Sequence, residues 1–323
     1  MTRVLVTGAG GFIGTHLVAY LREHGYWVRG VDIKYPEFSK TEADDFRLLD
    51  LRAWGNCLEA CNGIDLVYDL AANMGGIGYI YSRHAEIAMD NALISSHMIK
   101  AAQTCGVKRY LFSSSACIYP LFLQTSPDVS PLKESDAWPA EPEDAYGFQK
   151  LFHESMCKYY HQDYGLETRV ARFHNIFGPL GAWDGGKEKA PAALCRKVAL
   201  AKLRGEDSIE VWGDGEQTRS FCYVDDCVRL LHLLMESDHH EPINIGTDRL
   251  VTINELVDII SWAADYTPER IHNMKGTQGV RGRNADLTLM KKVIGEPRIS
   301  LEEGIKNTYA WIEGEVRRQY GTS

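Results

Sequence analysis

Thr7-Gly8-Ala9-Gly10-Gly11-Phe12-Ile13-Gly14 lies between the apolar run Val4 to Val6 and an amphipathic segment that begins near residue 13. A glycine turn that closes a strand and opens a helix points to a dinucleotide ligand, because backbone N–H groups at a helix N-terminus can then approach a pyrophosphate closely. The spacing of Gly8, Gly11 and Gly14 is G-x-x-G-x-x-G, not G-x-G-x-x-G. Gly8, Gly11, Phe12, Ile13 and Gly14 are therefore candidate cofactor contacts. Asp32 ends the next strand-like run, where a carboxylate accepts hydrogen bonds from ribose hydroxyls and repels a 2′-phosphate, so NAD is expected over NADP. Asp50-Leu51-Arg52 is expected to close a third strand, with Asp50 either reaching the adenine or pairing at the surface. Leu70-Ala71-Ala72-Asn73 ends a fourth with small side chains, as a surface beside the cofactor requires, and Leu70 joins the candidate contacts.

Outward from the turn, short β-rich runs alternate with amphipathic segments up to about Arg172, the rhythm of a parallel sheet wrapped by helices. Expected strands are 4–7, 27–31, 66–70, 109–113 and 168–172, with helices near 13–24, 83–105 and 144–164. Beyond Phe173 the glycines and prolines at 178–179, 185–186, 191 and 213–215 break the pattern, and helices are expected near 191–204 and 253–264. The reading is a doubly wound α/β domain over 1–175, with segments near 215–248 returning to it, and a smaller, mainly substrate-binding domain over 176–323.

Composition narrows the function classes. With 45% hydrophobic and 24% charged residues the chain of 323 residues reads as an ordinary globular protein. A net charge of -9 argues against a nucleic-acid partner, since phosphate backbones select basic surfaces. No run approaches the length of a membrane span, and no leader-like segment precedes Val4, so a cytoplasmic setting is expected. The eight cysteines form no C-x-x-C pair and have no His cluster beside them, so reduced thiols and no metal are expected.

Tyr146-Gly147-Phe148-Gln149-Lys150 puts a phenol and an ammonium four residues apart, on one face of an expected helix. A phenol with a pKa of about 10 is a poor base at neutral pH, and a neighbouring cation is expected to lower it. Ser113-Ser114-Ser115 ends a strand upstream and offers a hydroxyl for the same proton.

The glycine turn, the serine run and the Tyr146/Lys150 pair resemble the extended short-chain dehydrogenase/reductase superfamily, over essentially the whole chain. That resemblance implies a Rossmann-like fold and a Ser115, Tyr146, Lys150 set that takes a proton from a sugar hydroxyl while NAD takes the hydride. Five further motifs resemble the GDP-mannose 3,5-epimerase family within it: residues 73–76, 115–120, 172–175, 186–191 and 280–284. A ketone formed at C4 acidifies the protons at C3 and C5, so inversion there needs a base and an acid. The resemblance implies Cys117 as base, which needs a cation nearby to stay a thiolate, and Lys189 as acid, with Lys187 a physical competitor. It also implies substrate contacts from Gly75, Ser115, Ala116, Asn175, Glu188, Ala190, Lys197, Gln217, Thr218, Arg219, Arg281 and Arg283, the cations serving the pyrophosphate. The expected ligands are GDP-mannose and a tightly bound, recycled NAD, in a homodimer. The competing readings are a sugar-nucleotide 4-epimerase or 4,6-dehydratase on the same scaffold, or a non-catalytic NAD-sensing protein. A dehydratase calls for a carboxylate pair after the serine, where this chain has Ala116-Cys117.

Overall fold

The computed structural model describes residues 1–276 and 279–321, with the backbone alone at Ile77. The first half runs β1 (Arg3–Thr7), α1 (Phe12–Glu23), β2 (Trp27–Asp32), β3 (Asp45–Leu48), α2 (Trp54–Cys61) and β4 (Leu66–Asp69). It continues through α3 (Ile77–Tyr81), α4 (His84–Thr104), β5 (Arg109–Ser115), α5 (Ala145–Tyr164) and β6 (Glu167–Phe173). Next come β7 (Ile176–Phe177), α6 (Ala190–Arg204), β8 (Ser208–Trp212), β9 (Thr218–Ser220), β10 (Cys222–Tyr223) and α7 (Val224–Glu236). The chain closes with β11 (Ile243–Ile245), β12 (Leu250–Thr252), α8 (Ile253–Ala264), β13 (Glu269–Asn273), β14 (Gly282–Arg283), α9 (Thr288–Val293) and α10 (Leu301–Tyr320).

Seven strands form one parallel sheet in the order β11-β6-β5-β4-β1-β2-β3. Val4, Leu5, Val6, Val28, Val67 and Leu111 are fully or almost fully buried, as strands covered on both faces demand. The strand order reverses between β1 and β4, and ligands of such sheets bind in the crevice beyond the strand ends at that point. The third strand stops at Leu48, so Asp50 lies in the turn beyond it and does not close it as the sequence suggested. The last ladder bond there runs from Leu49 N to the Asp32 carbonyl, and the Asp50 carboxylate then accepts from Arg52 N at 3.0 Å.

Outside this sheet lie three small ones, β10-β7, β12-β9-β14 and β13-β8, and a layer in which α6, α8 and α10 pack on one another. The helices α7 and α10 were not among the sequence expectations. Both are legible in hindsight: Val224, Cys227, Val228, Leu231 and Leu234 recur at helical spacing and are buried, and the Ser300 side chain caps α10 by accepting from Glu303 N.

A buried polar lattice ties the end of the sheet to the segment after β5. Asn244, on β11, accepts from Tyr119 Oη at 2.6 Å and His174 Nε2 at 3.0 Å, and donates to the carbonyls of Leu132 at 2.9 Å and Asp286 at 3.1 Å. Asn244→Ala removes the acceptor of the Tyr119 and His174 donors and one donor from each of the two carbonyls, and unfolding in urea should register a loss of about 2–4 kcal/mol; a loss below about 0.5 kcal/mol would show that water replaces the side chain.

Candidate active site

The glycine turn builds the floor of the site. Gly8 adopts φ +68°, a conformation that side chains disfavour. A Cβ on Gly14 would lie 2.1 Å from the Gly8 carbonyl oxygen, so α1 can approach β1 only without one. The N-cap of α1 is Gly11, with no side-chain cap, which leaves the first-turn N–H groups for an anion. The Asp32 carboxylate is fixed at the end of β2 by Gly10 N at 2.9 Å and Lys34 N at 3.2 Å. An uncapped helix N-terminus facing a cleft, with an oriented carboxylate beyond it, fits NAD.

A cavity of about 270 Å³ opens above this floor. Gly8, Gly11, Phe12, Ile13, Gly14, Leu70 and Gly75 line it together with Tyr146, Lys150, Lys187 and Lys189. Asp50 stands apart, its carboxylate paired with Arg52 at 2.7 Å.

Tyr146 and Lys150 reach the cavity because Asp144 caps α5, accepting from Gly147 N at 2.9 Å. Gly147 itself allows the helix to press on the next turn, since a Cβ there would meet the Cys117 carbonyl at 2.2 Å. Lys150 is buried and donates from Nζ to the Ser113 carbonyl at 2.7 Å. Burial lowers its pKa to about 8, against the pull of Asp69, Cys157 and Glu154. The expected lowering of the Tyr146 phenol is not what this arrangement produces. Burial raises its pKa, Cys117 and Asp144 add to the rise, and only the hydrogen bond with Ser115 opposes it. The Lys150 ammonium sits 5.7 Å from the phenol ring centroid and spends its shortest bond on Ser113.

Cys117 lies in a single 3-10 turn, Ala116–Ile118, that follows β5, and its N–H donates to Ser115 Oγ at 3.1 Å. The cation its chemistry calls for comes from the far end of the chain: Arg283 Nη1 lies 3.6 Å from Cys117 Sγ. Gln124 Oε1 accepts from Arg283 Nε at 2.5 Å, and Glu143 approaches its other nitrogen at 3.8 Å. Gln124 and Glu143 were missed in the sequence reading, since nothing in their local pattern signals a partner at position 283.

Lys189 is the N-cap residue of α6. It keeps accessible surface because it faces the open cavity, yet enough protein surrounds its ammonium that desolvation lowers its pKa, with Cys117 and Cys227 opposing. Lys187 instead places its ammonium 4.6 Å from the Tyr79 ring centroid. Arg219 donates to the carbonyls of Thr218 at 2.7 Å and Val280 at 2.6 Å, and burial, aided by Arg283, lowers its pKa to about 9.

Other candidates are held by the protein itself. Lys197 donates to the Glu210 carbonyl at 2.8 Å, Glu188 accepts from Arg196 at 3.0 Å, and Arg281 grips Asp214 at 2.8 and 2.7 Å. Asn175 donates to the Ser220 carbonyl, Thr218 to that of Pro127, and Gln217 to that of Trp212, leaving Gln217 Oε1 buried without a partner. Ala116 is buried in its turn, and Ala190 is the first residue of α6. Gly76 serves a contact within the protein, as a Cβ there would lie 2.7 Å from the Glu188 carbonyl. At the opposite ends of the strands, His161, Glu167 and His240 come within 4.8 Å of one another, and Arg169 already supplies positive charge there, 3.0 Å from His240 Nδ1.

Gly14→Ala should weaken NAD binding by about tenfold or more, measured by calorimetry on cofactor-free protein; unchanged affinity would show that the turn is not the binding floor.

Comparison with known proteins agrees with this geometry. The sequence matches the NAD dependent epimerase/dehydratase family over residues 4–246. It is 48% identical to GDP-mannose 3,5-epimerase 1 of Oryza sativa subsp. japonica, over 98% of this chain and 83% of that protein. It is 47% identical to GDP-mannose 3,5-epimerase of Arabidopsis thaliana, over 98% of this chain and 84% of that protein. In three dimensions it is similar to the UDP-glucose 4-epimerase of Thermotoga maritima solved with UDP-glucose, with a TM-score of 0.86 and 29% identity over 98% of this chain and 100% of that one. Matched by the family pattern across both halves of its cofactor sheet, and by these relatives along almost its entire length, the chain belongs to the NAD dependent epimerase/dehydratase family and, within it, groups with the GDP-mannose 3,5-epimerases.

Proposed function

We propose that this chain epimerises GDP-mannose at C3 and C5 to GDP-L-galactose, with GDP-L-gulose as the C5-only product. The observation that carries the reading is the placement of Cys117. It sits between the Arg283 guanidinium and the Ser115/Tyr146 pair, and Lys189 is close enough for the thiol to act on its charge. A dehydrogenase needs only the tyrosine, lysine and serine; a second acid/base pair beside them suits a reaction that also moves protons on carbon.

The glycine turn and Asp32 would hold NAD, which when bound would supply a reversible acceptor for the C4 hydride and so would not be consumed. Tyr146 takes the proton of the C4 hydroxyl as phenolate, a form that burial opposes and that the positive ring of bound NAD would favour, while Ser115 bonds the phenol oxygen. Lys150 stays an ammonium at neutral pH, 5.7 Å from the phenol ring centroid. With a ketone at C4, Cys117 acting as a thiolate removes the proton at C5 or C3, with the Arg283 guanidinium 3.6 Å from its sulfur. Lys189 delivers a proton from the segment before α6. We favour it over Lys187 because its ammonium interacts with Cys117, whereas that of Lys187 lies over Tyr79. Arg219, Arg281 and Lys197 serve the diphosphate by exchanging present bonds for phosphate oxygens.

Exposed apolar side chains suggest a homodimer through α4 and α5. Phe148 and Phe152, one turn apart on α5, are 52% and 54% exposed, and Met89 on the adjoining α4 is 62% exposed. Eight unpaired cysteines suit a reducing, cytoplasmic setting, and no helix among the described residues is long and apolar enough to cross a membrane.

Incubation with GDP-mannose in deuterated water should place deuterium at C3 and C5, read by mass spectrometry and NMR. Cys117→Ala should keep C4 oxidation and lose that exchange. Unlabelled sugar or a 4-keto-6-deoxy product would overturn the reading, and normal exchange in the variant would remove Cys117 from it. Light scattering after gel filtration should give the mass of two chains, falling to one in Phe148→Glu/Phe152→Glu; a monomeric wild type would exclude the dimer.

A further inference from the structure

Asp69, at the end of β4, is 1% exposed, which is an unfavourable place for a carboxylate unless its charge is matched. Its two oxygens accept short bonds. Thr7 Oγ1 donates to Oδ1 at 2.7 Å, because the threonine oxygen already accepts from Leu70 N and Ala71 N and has its hydrogen to give. Tyr110 Oη donates to Oδ2 at 2.6 Å, and His153 Nε2 lies 3.3 Å from the same phenol oxygen.

The direction of this chain follows from which atoms lack partners. Burial lowers the His153 pKa to about 3, so the imidazole is neutral and carries one proton. Its Nδ1 has no partner. A proton there would be a buried donor with no acceptor, so the proton belongs on Nε2, pointing at Tyr110, and Tyr110 points at Asp69. Burial raises the Asp69 pKa, against the bonds from Tyr110 and Thr7 and the charge of Lys150; with both carboxylate oxygens accepting, neither carries a proton, and Asp69 is an anion.

The surrounding groups leave one place for its counter-charge. From α2, the Cys57 and Cys61 thiols face Asp69, and from α5 so does Cys157; burial raises all three, so they are neutral. Tyr110 and Tyr146 are raised by burial as well. Glu154, the other carboxylate near Lys150, is matched by Arg172 at 2.7 Å. What remains is Lys150, whose Nζ bonds the Ser113 carbonyl while Ser113 Oγ bonds the Asp69 carbonyl, and each of the two charges favours the charged form of the other.

We propose that Asp69 is the buried counter-charge that keeps the Lys150 ammonium protonated, and through it a positioning residue for the reaction. Thr7, in the first strand, and Tyr110, in the fifth, hold that carboxylate in its anionic form. The proposal rests on the role given to Lys150 above, and its test reads the lysine directly.

The holoenzyme is labelled with lysine carrying carbon-13 at Cε, the Lys150 resonance is identified by its absence in Lys150→Arg, and its titration midpoint is followed by NMR. In Asp69→Asn, which preserves shape and removes charge, the midpoint should fall by about one pH unit or more. The alkaline limb of deuterium exchange into GDP-mannose should move down with it, leaving KM unchanged. A midpoint that stays in place overturns the proposal. A midpoint that falls without a matching change in the limb supports the pairing and counts against the part given to Lys150 in the reaction. Should Asp69→Asn not fold, the wild type decides. Asp226, the other buried aspartate among the described residues, is paired with Arg229 at 2.9 Å, so an infrared band of a buried neutral carboxyl at neutral pH, shifted by carbon-13 aspartate, overturns the proposal, and its absence supports it.

Discussion

The ion pair between Glu154 and Arg172, at 2.7 and 3.0 Å and almost fully buried, is the interaction on which the site depends. It joins α5, which carries Tyr146 and Lys150, to β6. Ser114 of β5 donates to Glu154, and Arg172 reaches on to Tyr119 Oη at 3.2 Å and the Glu134 carbonyl at 2.7 Å. Tyr119 continues to Asn244 on β11. One pair of matched charges thus holds the serine strand, the tyrosine helix and the turn bearing Cys117 at fixed mutual distances. Such a pair is costly to bury and gives little net stability against an apolar alternative. Its geometric consequence is larger, because each remaining donor and acceptor must be satisfied in one arrangement.

The same accounting runs through the cavity. α5 turns Tyr146, Lys150, His153, Glu154 and Cys157 inward, an unusually polar face for a buried helix. Desolvation sets the direction at four of them: it lowers Lys150 and His153 and raises Tyr146 and Cys157. Backbone geometry also brings distant groups into contact, as Arg283 is brought to Cys117 by β14 pairing with β9. The contact crosses from one half of the molecule to the other, so the thiol's environment is made by both.

Cofactor and sugar chemistry place different demands on the fold. The cofactor floor is local: three glycines, one uncapped helix and one carboxylate within the first thirty-two residues. The residues proposed for the sugar come from segments near 75, 117, 146, 189, 219 and 283: those near 75, 146 and 189 line the cavity, and Arg283 is brought to Cys117 from the small β12-β9-β14 sheet. Loops that carry such residues tolerate change while the scaffold stays constant. That is why proteins sharing under a third of their residues share this shape.

By itself the sequence determined the alternating strands and helices, the glycine turn, Asp32 at a strand end, and the Tyr146/Lys150 pair on one helical face. Each of these is set within a few residues by conformational freedom, periodicity or capping. Tertiary structure alone decided what acts on those groups. The Arg283 to Cys117 contact spans more than half of the chain, Gln124 and Glu143 join the site by meeting Arg283, and Arg281 and Lys197 turn to acidic neighbours. The phenol shows the same division. Spacing puts Lys150 beside Tyr146, but a pKa is set by desolvation and by the nearest charges in space, and in the folded chain the ammonium turns to Ser113 and the buried carboxylate behind it.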